Sequence, residues 1–203
     1  MKLLLFSDLH CDRAAAESLS RRARAADVLI GAGDFTNLRQ IKNLAVCLDP
    51  FRDTGKPIVL VAGNNESTEE LANYCADWPG AQVLHGSSVT LLGVTFFGVG
   101  GGIPVTPFGP WSYDFDEDQA ATLLADCPTG CVLVAHSPPK GMVDVSSRGS
   151  SIGSVAIRDA IIRTAPRLVV CGHVHNCNGQ KGLYDDTPVV NAGPVGTEWD
   201  LRV

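Results

Sequence analysis

The sequence predicts an α/β fold in which short buried strands of a mainly parallel sheet alternate with helices, and three observations carry the prediction. Apolar runs recur at Leu3 to Phe6, Val28 to Ile30, Pro57 to Ala62, Cys131 to Ala135 and Leu168 to Cys171, and helical patterns separate several of them. Strand, helix and strand in succession make the βαβ unit, which favours parallel pairing. From Ala81 to Val99 the period changes to short β runs joined by turn residues, with no helix between them, as in antiparallel hairpins. Finally, the runs end in polar residues: Asp8 and His10, Asp34, Asn64, His136, and His173 and His175. Packing alone gives no reason for polar groups to recur at strand ends.

Taken in order, Leu3 to His10 opens the chain as a strand. If that strand continues to its end, Asp8 and His10, two residues apart, project to the same side. Arg13 to Ala26 is alanine- and arginine-rich with apolar positions at helical spacing and reads as a helix crossing back to Val28. Asn37 to Leu48 reads as a second amphipathic helix, closed by Asp49-Pro50. After Gly63-Asn64-Asn65-Glu66, Ser67 or Thr68 caps a third, with Glu69 and Glu70 suited to its first turn.

The β runs Gln82 to Leu84, Val89 to Leu92 and Val94 to Val99 follow, and then a glycine- and proline-rich loop from Gly100 to Tyr113, long enough to wall a site. Asp116 to Ala125 and Ser154 to Thr164 are helices, and the acids at 116–118 suit helix capping rather than ligation. Val189 to Asn191 and Thr197 to Val203 close the chain as strands. No internal repeat or linker divides it, so residues 1–203 are read as a single domain.

Composition narrows the function. A chain of 203 residues, 45% hydrophobic and 19% charged, has an ordinary globular balance and can bury roughly 70% of its unfolded surface. The net charge is −6, and the only basic cluster is Arg21, Arg22 and Arg24 on one helix, so no footprint for duplex nucleic acid is expected. The first residues lack a signal-peptide core and no run is long enough to span a membrane, so a cytoplasmic location is expected. The seven cysteines include no C-x-x-C pair, which argues for reduced thiols.

The strand-end residues Asp8, His10, Asp34, Asn64, His136, His173 and His175 mix carboxylate, amide and imidazole without thiolate. Such donors suit Mn, Fe, Zn or Ni better than Ca or Mg, with manganese favoured here. Seven donors exceed one shell, whereas two ions ~3.5–4 Å apart sharing one carboxylate use them all. The fifth histidine, His85, sits in a turn between β runs and is read as structural. Arg148, in the polar loop after Pro138-Pro139, is read as solvated, with a grip on a substrate phosphate as the other possibility.

Asp8-x-His10, Gly33-Asp34, Gly63-Asn64, His136 and Gly172-His173-x-His175, in this order and across nearly the whole chain, resemble the calcineurin-like metallophosphoesterases. The resemblance implies a four-layer α/β/β/α sandwich with two mixed β-sheets flanked by helices. It implies that Asp8, His10 and His175 hold one divalent ion, that Asn64, His136 and His173 hold the other, and that Asp34 bridges them. It also implies hydrolysis of a small phosphoester by a metal-bridged hydroxide attacking in line, with Asp34, Asn64, Asn65 and His136 at the catalytic centre.

One position departs from the family pattern: Asn65 stands where many members carry a histidine thought to protonate the leaving oxygen. An amide donates a hydrogen bond but no proton at neutral pH. Phosphodiesters and activated phosphomonoesters are therefore the expected substrates. The competing reading is a non-catalytic binding scaffold of the same fold, in the manner of the retromer subunit that shares it. Its contact surfaces would be the loops 100–113 and 140–151, with Phe108, Trp111 and Tyr113 as an exposed apolar patch.

Overall fold

The computed structural model describes residues 1–202. Strands β1 (Lys2–Phe6), β2 (Val28–Ala32), β3 (Ile58–Val61) and β4 (Ala81–Val83) pair in parallel, and β11 (Thr197–Asp200) adds antiparallel to β1 at the edge. The second sheet has six strands. Strands β6 (Val94–Val99), β7 (Val132–Ala135), β8 (Leu168–Cys171) and β10 (Thr187–Asn191) run parallel at its centre, with β5 (Ser87–Leu91) and β9 (Lys181–Tyr184) antiparallel at the two edges.

Strand periodicity explains the layering. Leu3, Leu5, Val28, Ile30, Val59 and Val61 face the other sheet and meet Phe96, Val132, Val134, Leu168, Val170 and Val190 in one inner core. Their neighbours face outward under helices. Leu4, Phe6, Leu29 and Leu60 pack beneath α1 (Arg13–Ala23), α2 (Leu44–Arg52) and α3 (Thr68–Cys75). Phe97, Leu133, Val169 and Val189 pack beneath α4 (Glu117–Leu124) and α5 (Val155–Thr164). Both faces of the central strands are dry, which is why they read as continuous apolar runs. The four-layer sandwich with two mixed sheets is the predicted architecture.

Local boundaries differ in instructive places. The segment Asn37 to Gln40 is not helical, because Leu38 and Arg39 take positive φ (46° and 60°) and their amides donate to the Asn65 side chain and carbonyl. A short 3-10 turn, Ile41–Asn43, precedes α2. Pro50 does not close that helix, which continues to Arg52. The reason is packing: the next residue, Phe51, is buried and stacks on Phe6 with ring centroids 4.7 Å apart. Burying a Phe side chain contributes about 1.5–3 kcal/mol, comparable to the cost of an internal proline, about 3 kcal/mol.

Strand β4 belongs to the first sheet, parallel to β3, rather than to a hairpin; of the three runs between Ala81 and Val99, β5 and β6 form one. The edge strand β9 was not legible, since Lys181 and Leu183 point to solvent and Gly182 interrupts the run. The last strand ends at Asp200, and Val203 lies outside the described residues.

The helix caps follow the sequence. Ser67 and Glu70 form a capping box, as do Asp116 and Gln119. Glu117, in the acidic cluster read as capping, accepts from Ser154 Oγ and from the Val155 and Ala156 amides, so it secures the next helix rather than its own. All seven cysteines are free. Among the described residues no helix is long and apolar enough to cross a membrane.

Candidate metal centre

The site lies beyond the C-terminal ends of β1, β2, β3, β7 and β8. Asp8 and His10 do not project by strand alternation: β1 stops at Phe6, and both residues take positive φ (56° and 45°) in a turn that hydrogen-bonds to the turn after β2. The Asp8 and His10 amides donate to the Gly33 and Asp34 carbonyls at 2.9 and 3.0 Å. The turns after β2 and β3 are in van der Waals contact. A Cβ on Gly63 would collide with Asp34 Oδ1, and one on Gly33, at φ 88°, would lie 2.7 Å from His136 Nδ1. The glycine preceding these polar residues is therefore a condition of their convergence.

The structure brings all the predicted ligands together, in two groups that meet at Asp34. One ligand atom from each of Asp8, His10, Asp34 and His175 lies within 4.8 Å of the others, and the same is true of Asp34, His136 and His173. Asn64 Oδ1 joins the second group, 3.3 Å from His136 Nε2 and 3.2 Å from His173 Nδ1.

Hydrogen bonds fix where the protons are. His10 Nδ1 lies 2.8 Å from Asn37 Oδ1, and Asn37 Nδ2 donates back to the His10 carbonyl. A carbonyl oxygen only accepts, so the neutral His10 imidazole carries its proton on Nδ1 and turns the lone pair of Nε2 inward. His136 Nδ1 donates to the Ala32 carbonyl at 2.7 Å, with the same result for its Nε2. Ser112 Oγ donates to Asp114 at 2.8 Å and so accepts from Asn64 Nδ2 at 3.1 Å, which turns Asn64 Oδ1 inward.

In the neutral imidazole, the form that ligates metal, His136 Nε2 and Asn64 Oδ1 thus turn lone pairs on each other at 3.3 Å, and His173 Nδ1, about equally far from both, has one proton at most to share between them. In the other group His10 Nε2 lies 3.1 Å from His175 Nε2 and 3.5 Å from Asp34 Oδ2, and His175 Nε2 lies 3.5 Å from Asp8 Oδ1. Convergent nitrogen and oxygen lone pairs without sulfur fit borderline divalent cations.

Burial and opposing charges shape the titration. Burial alone would raise the Asp8 carboxyl, but the His175 hydrogen bond, the His136 charge and the Ser7 hydroxyl hold it at about 2. Burial lowers His173 to about 4. At His136 the Asp34 and Asp8 carboxylates outweigh burial and raise the imidazole. His175 is raised chiefly by its hydrogen bond to Asp8.

Asn65 sits beside Asp34 with its amide already engaged. Its backbone N–H and side-chain NH2 donate to Asp34 Oδ1 and Oδ2 at 2.9 and 2.8 Å, and its Oδ1 accepts from the Leu38 amide. His85, as read from the sequence, lies outside both groups: its Nδ1 accepts from the Gly100 amide, and its ring packs on Tyr113 and Phe115. Arg148 is exposed in its loop.

Sequence reasoning missed the supporting residues. The principal one is Glu66, fully buried, whose carboxylate accepts from the Gly63, Asp34, Phe35 and Thr36 amides and so clamps the β2 and β3 turns to each other. Burial, then the Asp34 charge, push it up to about 7 against the pull of the Gly63 and Thr36 amides. Its one signal was an acid directly after Gly-Asn-Asn, ahead of the helix cap. Ser7, Asn37, Ser112 and Asp114 carried no signal. Asn191 opens a turn, Asn191-Ala192-Gly193-Pro194, that the family resemblance places near the site without a chemical role; its Nδ2 donates to the Gly172 and Val174 carbonyls on either side of His173.

Comparison with known proteins is consistent with this arrangement. A family model described as the calcineurin-like phosphoesterase superfamily domain matches residues 1–202. Human metallophosphoesterase domain-containing protein 1 is 28% identical over 189 residues, covering 75% of this chain and 55% of that protein. The Caenorhabditis elegans UPF0046 protein T07D4.2 is 25% identical over 197 residues, covering 75% and 47%. The chain thus spans about half the length of the curated relatives it matches. Among solved structures, Thermus thermophilus TT1561 superposes with TM-score 0.77 at 18% identity over 99% of each chain. A dimetal phosphatase from Danio rerio gives TM-score 0.65 at 10% identity, over 96% of this chain and 88% of that one. At such identities the likeness speaks for the fold.

Proposed function

The chain belongs to the calcineurin-like phosphoesterase superfamily, and from that premise we propose that it is a phosphoesterase dependent on two divalent metal ions, hydrolysing small phosphodiesters and phosphomonoesters with good leaving groups. The observation that carries the reading is the set of inward lone pairs around Asp34, with imidazole protons committed outward to Asn37 and Ala32. Asp8, His10 and His175 would hold one cation, Asn64, His136 and His173 the other, and Asp34 both. Bound there, the cations supply a water of lowered pKa and offset charge on the phosphoryl oxygens.

The chain's own residues supply position. Asn37 and the Ala32 carbonyl hold two imidazoles in the tautomer that leaves Nε2 free, as partners behind metal ligands generally do. Asp114, through Ser112, orients Asn64. Asn65 acts through Asp34 as a positioning residue and has no proton to give a leaving oxygen.

Two outcomes are expected. Chelation of the purified protein should abolish hydrolysis of bis(4-nitrophenyl) phosphate, and added Mn2+ should restore it with about two equivalents bound. Stoichiometric metal without turnover of any ester would support the scaffold reading instead. With no general acid, a factor of about 100 or more is forgone on esters that need one. Across methyl aryl and dialkyl phosphates, kcat/KM should therefore fall steeply as the leaving group becomes more basic. A flat dependence, or an acid limb in the pH–rate profile abolished by changing a histidine, would show that another proton donor exists.

A further inference from the structure

Two cavities meet over the metal-ligating side chains. One, of about 270 Å³, is lined by His10, Asp34, Asn64 and His173 together with Phe108 and Trp111. The other, of about 630 Å³, shares His173 and Phe108 with it and runs away from the ligands between loop 104–108 and loop 140–153. Together they make one groove that starts at the proposed reaction centre.

The groove is mixed, with Lys140, Arg148 and four serines among its lining, but it carries apolar side chains where a metal site has no need of them. Val105, Phe108 and Ile152, all lining it, are 61%, 53% and 41% exposed. Phe108 stacks on Trp111, with ring centroids 6.0 Å apart and planes 18° from parallel, and both rings line the cavity beside the ligands as a flat aromatic pair. Exposed apolar side chains scattered singly need no explanation, but a cluster adjoining a reactive centre does.

Both walls are also built to hold their shape. Asp114 accepts from the Thr106 amide, the Thr106 hydroxyl and Ser112, and Ser137 Oγ accepts from the Ile103 amide. Opposite, buried Asp144 accepts from the Gly141 and Gly153 amides and the Ser151 hydroxyl. A fixed apolar wall loses little entropy on binding and so discriminates by shape. Hydrolysis of a simple alkyl phosphate has no use for such a wall. A volume of about 630 Å³ suits a small molecule rather than a folded partner.

We propose that this groove selects substrates by the organic group of the ester: the preferred phosphoester carries a planar aromatic or heteroaromatic ring, stacked on Phe108, while its phosphate lies among the metal ligands. Phe108 is then a specificity-determining residue that takes no part in the chemistry. The inference rests on the metal-dependent phosphoesterase reading, and the test separates the two.

Protein loaded with Mn2+ is titrated calorimetrically with methylphosphonate and with phenylphosphonate, which share the anionic head and differ in the ring. Stacking on an aromatic side chain predicts that phenylphosphonate binds at least about tenfold more tightly. In Phe108→Ala the ratio should fall to within about threefold, with methylphosphonate affinity unchanged, and Phe108→Tyr should keep it. Phe108 is half exposed, so its removal leaves the core intact. Equal binding of the two phosphonates, or a preference that survives Phe108→Ala, would overturn the groove assignment while leaving the anion-binding centre standing. If methylphosphonate itself fails to bind the loaded protein, the phosphoesterase reading falls and the groove assignment with it.

Discussion

Asp34→Asn is expected to lower kcat/KM for an aryl phosphodiester by at least about 1,000-fold and to reduce bound metal from about two equivalents to one or fewer. Asp34 is the one side chain in both ligand groups, with Oδ2 3.5 Å from His10 Nε2 and Oδ1 3.6 Å from His136 Nε2. A neutral amide of the same shape withdraws the charge that both cations would share, and it keeps only one of the two acceptors that Asn65 uses. The rate loss corresponds to about 4 kcal/mol, the order expected for losing metal-ion stabilisation of a phosphoryl transition state. The fold should suffer little, since losing the Asp34 charge relieves one of the forces acting against an ionised Glu66 and offsets part of the lost Asn65 hydrogen bond. Metal analysis and a thermal melt on the same sample check both halves. A variant retaining more than about a tenth of the wild-type rate would sink the assignment of Asp34 as the shared ligand.

Glu66→Ala is expected to do the reverse, attacking the scaffold first. The Glu66 carboxylate accepts from four backbone amides, those of Gly63, Asp34, Phe35 and Thr36, at 2.8 to 3.3 Å, in a place sealed from solvent. Leaving a buried donor without a partner costs about 1–3 kcal/mol. With some donors re-satisfied by water entering the space, a net loss of about 3–5 kcal/mol is expected, or about 10 °C in melting temperature for a chain of this size. Activity should fall too, because the two turns it clamps carry Asp34 and Asn64. Urea and thermal unfolding of the metal-free proteins measure the stability part directly. A melting temperature within 2 °C or so of wild type would mean that the clamp does not hold the turns together.

Much of this was legible in one dimension. Each ligand side chain stands just after an apolar run, and the order Asp8, His10, Asp34, Asn64, His136, His173, His175 can be read without coordinates. The central strand runs were visible because both faces of those strands are buried, so nearly every position had to be apolar. The helix caps at Ser67 and Asp116 were visible because their partners lie within three residues.

What failed was long-range or conformational. The placement of Asp8 and His10 depends on positive-φ turns whose amides find carbonyls about 25 residues away, and nothing in Leu3 to His10 distinguishes that from a continuing strand. The non-helical course of Asn37 to Gln40 is imposed by Asn65, and the persistence of α2 through Pro50 by Phe6. Glu66, Ser112, Asp114 and Asn191 support the site through partners mostly distant in sequence, so only their buried hydrogen bonds identify them.

The sequence by itself determined the alternation of buried strands with helices and the identity of the converging side chains, since these follow from apolar periodicity and from polar residues that periodicity does not explain; the four layers were implied by the family resemblance those residues carry. Only the tertiary structure decided which imidazole nitrogen faces inward, that Asn65 is spent on Asp34, and that a flat aromatic wall stands beside the ligands. Those features depend on directional hydrogen bonds and contacts across loops, which chain order does not encode.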